Sequence, residues 1–535
     1  MSFKILPALG ISAVALFSAA EMKAADFIVD GIAYDIISSM SHEVAVAPLG
    51  DAEDPDTFYS GAIVIPESVE FGSTFFVTSI GPLAFADCQQ LTSVELPAGI
   101  SSIGDSAFEG CSSLKTITLP SNVTTLGRGA FRQSGIESLI LPTDISRIPE
   151  YCFANCTALI EISLPMNLTR IDDYAFYGDS SLYNVRWNQQ LEEIGDRAFA
   201  MCSSLATTLW PASLSKIGDA AFAYCSSIVD FPIAQLEEIG NSAFTGCSAL
   251  TTVDLSDFQG TLTDYAFSEC SGVTSLILPP GIESVPEACF RNMSSLEDIE
   301  FPESLRLIGK NAFEGCRRLT SLTLPPLTEI KERGFALCDA VEEIEFNSDN
   351  LRISDSGFEN LASLKWLYLR GIDYVGRRAF AGCTSMTWIE IENDVTTLDS
   401  YAFEGCSSLR SVYVHGLVPP VITINTFDDM TESNAELLVE SNALLIYQQG
   451  SHWNRFRHIE TTDDFPLRVP DTMLVDMIRI SNNCLMLDPS HPHAEVYTSA
   501  GVKVAEIPEG LSTPLYLDKG LYIIRIGHSS TKIMI

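Results

Sequence analysis

A phenylalanine recurs along this chain at a spacing that is always 22 or 23 residues: Phe85, Phe108, Phe131, Phe153, Phe176, Phe199, Phe222, Phe244, Phe267, Phe290, Phe313, Phe335, Phe358, Phe380 and Phe403. Self-similarity at that period restricts the chain to a stacked repeat. One unit of ~23 residues turns only about four or five apolar side chains inward and cannot close a core alone. The flanking positions repeat as well. A small residue precedes every Phe: Ala in eleven units, Cys152 and Cys289 in two, Gly334 and Gly357 in two. A small side chain there lets neighbouring coils approach while the ring fills the interior. Five residues before each Phe stands a branched aliphatic, from Ile80 and Ile103 through to Val375 and Leu398. Nine and eleven residues after it the chain is again mostly apolar, as in Val94 and Leu96, Ile117 and Leu119, or Leu322 and Leu324. That alternation predicts a short strand with one buried face. A proline often follows, as at Pro97, Pro120 and Pro325, and marks the strand's end because it has no N–H for a ladder.

The unit Ile103-Gly104-Asp105-Ser106-Ala107-Phe108-Glu109-Gly110-Cys111-Ser112-Ser113-Leu114-Lys115-Thr116-Ile117-Thr118-Leu119-Pro120 resembles the BspA-like leucine-rich repeat, and the resemblance extends over about residues 80 to 414. The expected fold is therefore a β-rich solenoid, a right-handed leucine-rich-repeat stack of about fifteen coils with every anchor Phe buried on the next. At ~4.8 Å between strands the stack spans roughly 70 Å. The resemblance implies a secreted or cell-surface protein that adheres to host or bacterial partners, protein or glycan. No particular ligand comes with it.

Charge narrows the partners further. Against 31 Lys and Arg stand 70 Asp and Glu, a net charge of -39, and a field of that sign repels nucleic-acid backbones. Lys4 and the apolar stretch Ile5 to Ala20 read as a signal peptide over residues 1–25, with cleavage after Ala20 or after Ala25. That stretch is short for a bilayer span, and no other is long enough. Residues 26–84 read as an N-terminal β cap, opened by the Asp30-Gly31 hairpin signal. The array is placed at 85–430, with Phe427 as a degenerate further anchor. A C-terminal cap follows at 431–465, carrying Tyr447, Trp453, Phe456 and Ile459. Residues 466–535 read as a small β-sandwich, with turns at Asn482-Asn483, Ala500-Gly501 and Gly527 to Ser530. Glu495-Val496-Tyr497, Gly520-Leu521-Tyr522-Ile523 and Lys532 to Ile535 resemble the sorting domain of type IX secretion cargo, which implies attachment at the outer-membrane surface.

The chain carries no hydrolase, zincin or P-loop motif, so an enzyme is not expected. No cofactor or metal site is expected either. All seven His (His42, His415, His452, His458, His491, His493 and His528) fall outside the regular units, which argues against a histidine acid–base pair on the array surface. Eleven of the 14 Cys stand three residues after an anchor Phe, replaced elsewhere by Ser134, Asp179, Met293 and Leu361. A ladder of one residue type reads as packing and predicts free thiols.

Binding is the expected role, and a structural spacer without a specific ligand is the alternative. Positions eight and ten residues after each Phe point outward and are mostly small or polar, as in Thr116 and Thr118 or Glu161 and Ser163. Towards the C-terminal end they turn aromatic: Trp366 and Trp388 share one position, with Tyr368, Glu390 and Tyr413 on the neighbouring one. Large rigid rings anchor interfaces and stack on sugars, so these five residues form the candidate site, with both indoles expected to be exposed. Trp187 and Trp210 fall on inward positions and are expected in the core.

Overall fold

The computed structural model describes residues 25–50, 58–206 and 209–461, and beyond these the strand segments 478–481, 484–487, 494–498, 503–507, 515–516, 521–526 and 529–534. Residues 1–24 of the segment 1–25 expected to be a signal peptide lie outside the described residues, as do 482–483, 499–502 and 527–528, where turns are expected. The chain divides into two compact units, residues 1–437 with 446–459, and residues 438–445 with 460–535.

The first unit is a solenoid. Each coil contributes up to two short strands that pair in parallel with their equivalents one coil away. The first ladder carries the aliphatic five residues before each Phe, as in Arg147–Ile148, Arg170–Ile171 and Glu193–Ile194. The second carries the predicted alternating strand, as in Ser138–Ile140, Glu161–Ser163 and Asn184–Arg186. In each of these second-ladder strands the central residue is buried and its two neighbours are at least partly exposed, as the period-two pattern requires. Between the ladders the chain rounds the Phe. The Phe N–H donates to the carbonyl of the small residue in the following coil, from Phe85 to Ala107 at 2.8 Å through to Phe403 and Thr426 at 3.0 Å.

All fifteen anchor rings are fully buried and form one continuous column. Successive centroids lie 4.9 to 6.2 Å apart, and the planes diverge by at most 28°. Tyr59 closes one end, 4.7 Å from Phe85; its hydroxyl accepts from Ala33 N–H and donates to the Ala47 carbonyl. At the other end Phe427 continues the column 5.1 Å beyond Phe403, and Trp453 and Phe456 cover it. The Trp453 indole N–H is satisfied by the Pro420 carbonyl at 3.0 Å. The N-terminal sheet starts as an antiparallel hairpin, Phe27–Val29 with Ile32–Ser38. Its turn residues Asp30 and Gly31 both hold positive φ, 50° and 79°, as a two-residue type I′ turn demands. That sheet then changes to parallel pairing between Glu43–Ala47 and Ser73–Ile80 and runs on into the first coil ladder.

Two further devices tie coil to coil. Thirteen Cys among the described residues are free and buried. Those of the ladder also do something the sequence does not reveal: every ladder thiol but Cys88 donates to the carbonyl of the anchor Phe one coil back, while Cys88, in the first coil, reaches the Ala86 carbonyl. Cys111 reaches Phe85 at 3.0 Å, Cys225 reaches Phe199 at 3.0 Å and Cys406 reaches Phe380 at 3.3 Å. Burial pushes the Cys88 thiol up to about 11 and that of Cys247 up to about 12. The sulfurs therefore stay protonated donors, and thiols without thiolate character are inert. Aspartates three residues before the Phe act similarly: Asp105, Asp196 and Asp219 accept from backbone N–H groups of the next coil at 2.7 to 2.8 Å.

Close approach explains the glycine four residues before many anchors. A Cβ on Gly127 would stand 2.3 Å from the Asp105 nitrogen, so Gly127 serves the coil spacing. Less legible is the positive φ that recurs two residues before and two after the Phe. Asn155 (60°), Tyr174 (58°) and Arg197 (52°) hold it without being glycine, a conformation that costs L-residues energy and persists because both flanking ladders impose it.

In the second unit the described strands form two antiparallel sheets. One contains Ile478–Ser481, Cys484–Leu487 and Leu515–Tyr516; the other runs in the order Lys503–Ile507, Ala494–Thr498, Leu521–Ile526, Ser529–Met534.

Candidate functional site

The five residues singled out in the sequence come together on three neighbouring strands, Trp366–Leu369, Trp388–Ile391 and Ser411–Val414. Their register sets Trp366 beside Trp388 beside Ser411, and Tyr368 beside Glu390 beside Tyr413. The alternate residues Leu367, Leu369, Ile389, Ile391, Val412 and Val414 are all within the core, no more than 1% exposed. The aromatic residues therefore stand on the opposite, outward face.

Their exposure differs from expectation. Trp366 is only 8% exposed, and Glu390 only 6%; Trp388, Tyr368 and Tyr413 are half-buried. The expectation that both indoles lie open is corrected, and the cause is geometric. Parallel strands bring like positions within ~4.8 Å, so broad rings at one position overlap. The Trp366 and Trp388 rings stack at 5.8 Å and 14°, and Tyr413 meets Trp388 edge-on at 6.2 Å. The result is a packed aromatic platform whose accessible rings are Trp388, Tyr368 and Tyr413. Trp187 and Trp210 also need correction. They do face inward, edge-on to Phe199 and Phe222, but are half-buried. An indole outgrows the space that leucine fills at this position, and the Trp210 N–H ends on the Asp230 carbonyl at 3.1 Å.

Polar groups border the platform. The Tyr368 hydroxyl donates to Glu392 Oε1 at 2.6 Å; burial and that carboxylate hold its phenol above the usual range, so it remains a neutral donor. His415 Nε2 lies 2.8 Å from Glu390 Oε1. This pair overturns the reading that no histidine could act on the array surface. His415 follows directly on the third of these strands, and its N–H bond to the Ile391 carbonyl, 2.9 Å, holds it in register beside Glu392. Sequence reasoning missed both Glu392 and His415, which stand twelve residues after Phe380 and Phe403; following the repeat register one step past the strand would have aligned them.

A stacked, in-register β-coil with one chemically distinct stretch on its strand face defines a leucine-rich-repeat solenoid, a class that generally meets protein partners and is generally non-catalytic. The BspA type leucine rich repeat region matches in six copies, over residues 78–206, 161–271, 215–342, 260–387 and 306–432. The chain belongs to that family. No curated protein matches the chain. Among solved structures it is similar to a leucine-rich repeat protein from Bacteroides ovatus, at 23% identity over 69% of this chain and 95% of that one, with a TM-score of 0.45. It is also similar to a leucine rich cell surface protein from Faecalibacterium prausnitzii, at 21% identity over 73% and 94%, TM-score 0.33. A third is the pneumococcal vaccine antigen PcpA, at 17% identity over 82% and 100%, TM-score 0.38. Among the described residues no helix is long and apolar enough to cross a membrane.

Proposed function

We propose that the protein is secreted or held at the cell surface and binds a protein or glycan partner, in adhesion, through Trp388, Tyr368 and Tyr413, with Trp366 and Glu390 as their support. One observation carries this reading: the outward strand positions are small or polar along most of the array but aromatic on three adjacent coils. Rigid rings bury large area at low entropic cost, and such residues dominate binding energy where they cluster. The purified chain should be screened against host matrix proteins and glycans. For the partner found, Trp388→Ala is expected to weaken binding by ~2 kcal/mol. Trp210→Ala, at the inward pair, should lower the unfolding midpoint and leave affinity alone. Equal affinity of the wild type and the Trp388 variant would remove the platform from the interface and favour the spacer.

Attachment through residues 466–535 belongs to the same reading, supported by the resemblance of that tail to a sorting domain. A chain ending at residue 465 is expected to fold its array, with normal circular dichroism, but to vanish from the surface of its native host. Undiminished display of the truncated chain would refute this role.

A further inference from the structure

Most buried carboxylates elsewhere in the array are matched by arginine; Asp179, held by the Cys156 N–H alone, is the exception among the described residues. Glu314 sits between Arg291 and Arg333, and Glu359 between Arg333 and Arg378. Asp172 is met by Arg147 and Arg170, and Glu432 by Arg455. Glu390 is as buried as these, yet no lysine or arginine reaches it among the described residues; its partner is the His415 imidazole. Glu392, two residues along the same strand face, is likewise met only by the neutral Tyr368 hydroxyl. One oxygen from each carboxylate and one imidazole nitrogen all lie within 4.8 Å of one another. Two carboxylates that close, one of them removed from water, repel each other, and a cation held between them offsets that repulsion.

We propose that Glu390, Glu392 and His415 bind a divalent cation of the zinc type, with Tyr368 orienting the Glu392 carboxylate. The donor set selects the ion. Imidazole nitrogen with two carboxylate oxygens suits Zn2+, whereas Ca2+ takes six to eight oxygens and Mg2+ keeps most of its water. The sheet presets the geometry: the Ile391 to Val414 pairing and the His415 N–H bond to Ile391 fix the two strands against each other. A phenol donating to a ligating carboxylate is the kind of outer support that metal sites use. Three protein ligands leave a fourth position for water or for an electron-pair donor on a partner. The cation itself requires no partner, so its test is separate from that of the binding face.

The full chain, stripped with a chelator, should be titrated with ZnCl2 by calorimetry and equilibrium dialysis. One equivalent is expected at this site, with the unfolding midpoint rising on loading and no competition from excess CaCl2 or MgCl2. Glu392→Gln and His415→Gln should each remove that equivalent, and Tyr368→Phe, which keeps both ligands, should weaken it about tenfold. Circular dichroism checks that each variant is folded. Zinc uptake that is the same in wild type and in the folded ligand variants would overturn the assignment, as would displacement by calcium. Absence of uptake by the wild type would also overturn it, and would reduce Glu390 and His415 to an ordinary ion pair.

Discussion

Replacing Phe222 with alanine is expected to lower stability by ~3–5 kcal/mol, the range for deleting a fully buried ring. The ring is completely enclosed. It stacks on Phe199 at 5.5 Å and on Phe244 at 5.7 Å, while Trp210 and Phe231 close two more sides at 5.4 Å. Nothing nearby can collapse into the gap, because each neighbour is pinned by its own coil's backbone ladder. In a solenoid the coils interact only with those adjacent, so the loss falls on one joint. Denaturant unfolding should then separate into two transitions, one for the coils on each side. A single transition with an unchanged midpoint would show that the column contributes little.

The second large effect concerns the one carboxylic acid in the thiol ladder. Asp179 is fully buried; its Oδ1 accepts the Cys156 N–H at 2.8 Å, and its Oδ2 has no partner. Burial drives its pKa well above the ordinary carboxylate value, so the folded chain keeps the proton. The unfolded chain gives it up near the usual ~3.9. As pH rises above that point the unfolded state is favoured by ~1.4 kcal/mol per pH unit, until the folded group also ionises. Stability contributed by this site is thus greatest in acid and declines toward neutrality. Asp179→Asn, which is isosteric and cannot ionise, is expected to raise the unfolding midpoint at neutral pH and to match the wild type near pH ~4. The difference between the two chains isolates this group from the many surface acids. A variant no more stable than wild type at neutral pH would mean that the buried carboxylate is compensated.

The Phe period made the solenoid legible, because a spacing of 22 or 23 residues with matched flanks admits one kind of solution. The cysteines were legible as free thiols, but their hydrogen bonds were not. The acceptor of Cys111 is the carbonyl of Phe85, 26 residues away, and only stacking brings it near. Periodicity also assigned Trp366 to the correct face without revealing its burial, since a period of two gives a direction and says nothing of what lies over the side chain. His415 escaped for the reverse reason: it falls one residue outside the strand pattern, so a search confined to the pattern passes over it. The left-handed residues Tyr174 and Arg197 carry no compositional mark at all.

In-register stacking has a consequence for how far the aromatic face lies from the N-terminal sheet. Phe358, whose coil carries Trp366, is the thirteenth anchor, and each earlier coil adds ~5 Å. Because the Phe column and the backbone bond from each Phe N–H to the next coil recur at every joint, a coil can be gained by duplication of one repeat, or lost by its deletion, without altering the N-terminal sheet or the aromatic lid beyond Phe427. The array works as a ruler graduated in single coils, on which natural selection can set the platform nearer to the N-terminal sheet or further from it while leaving its chemistry intact.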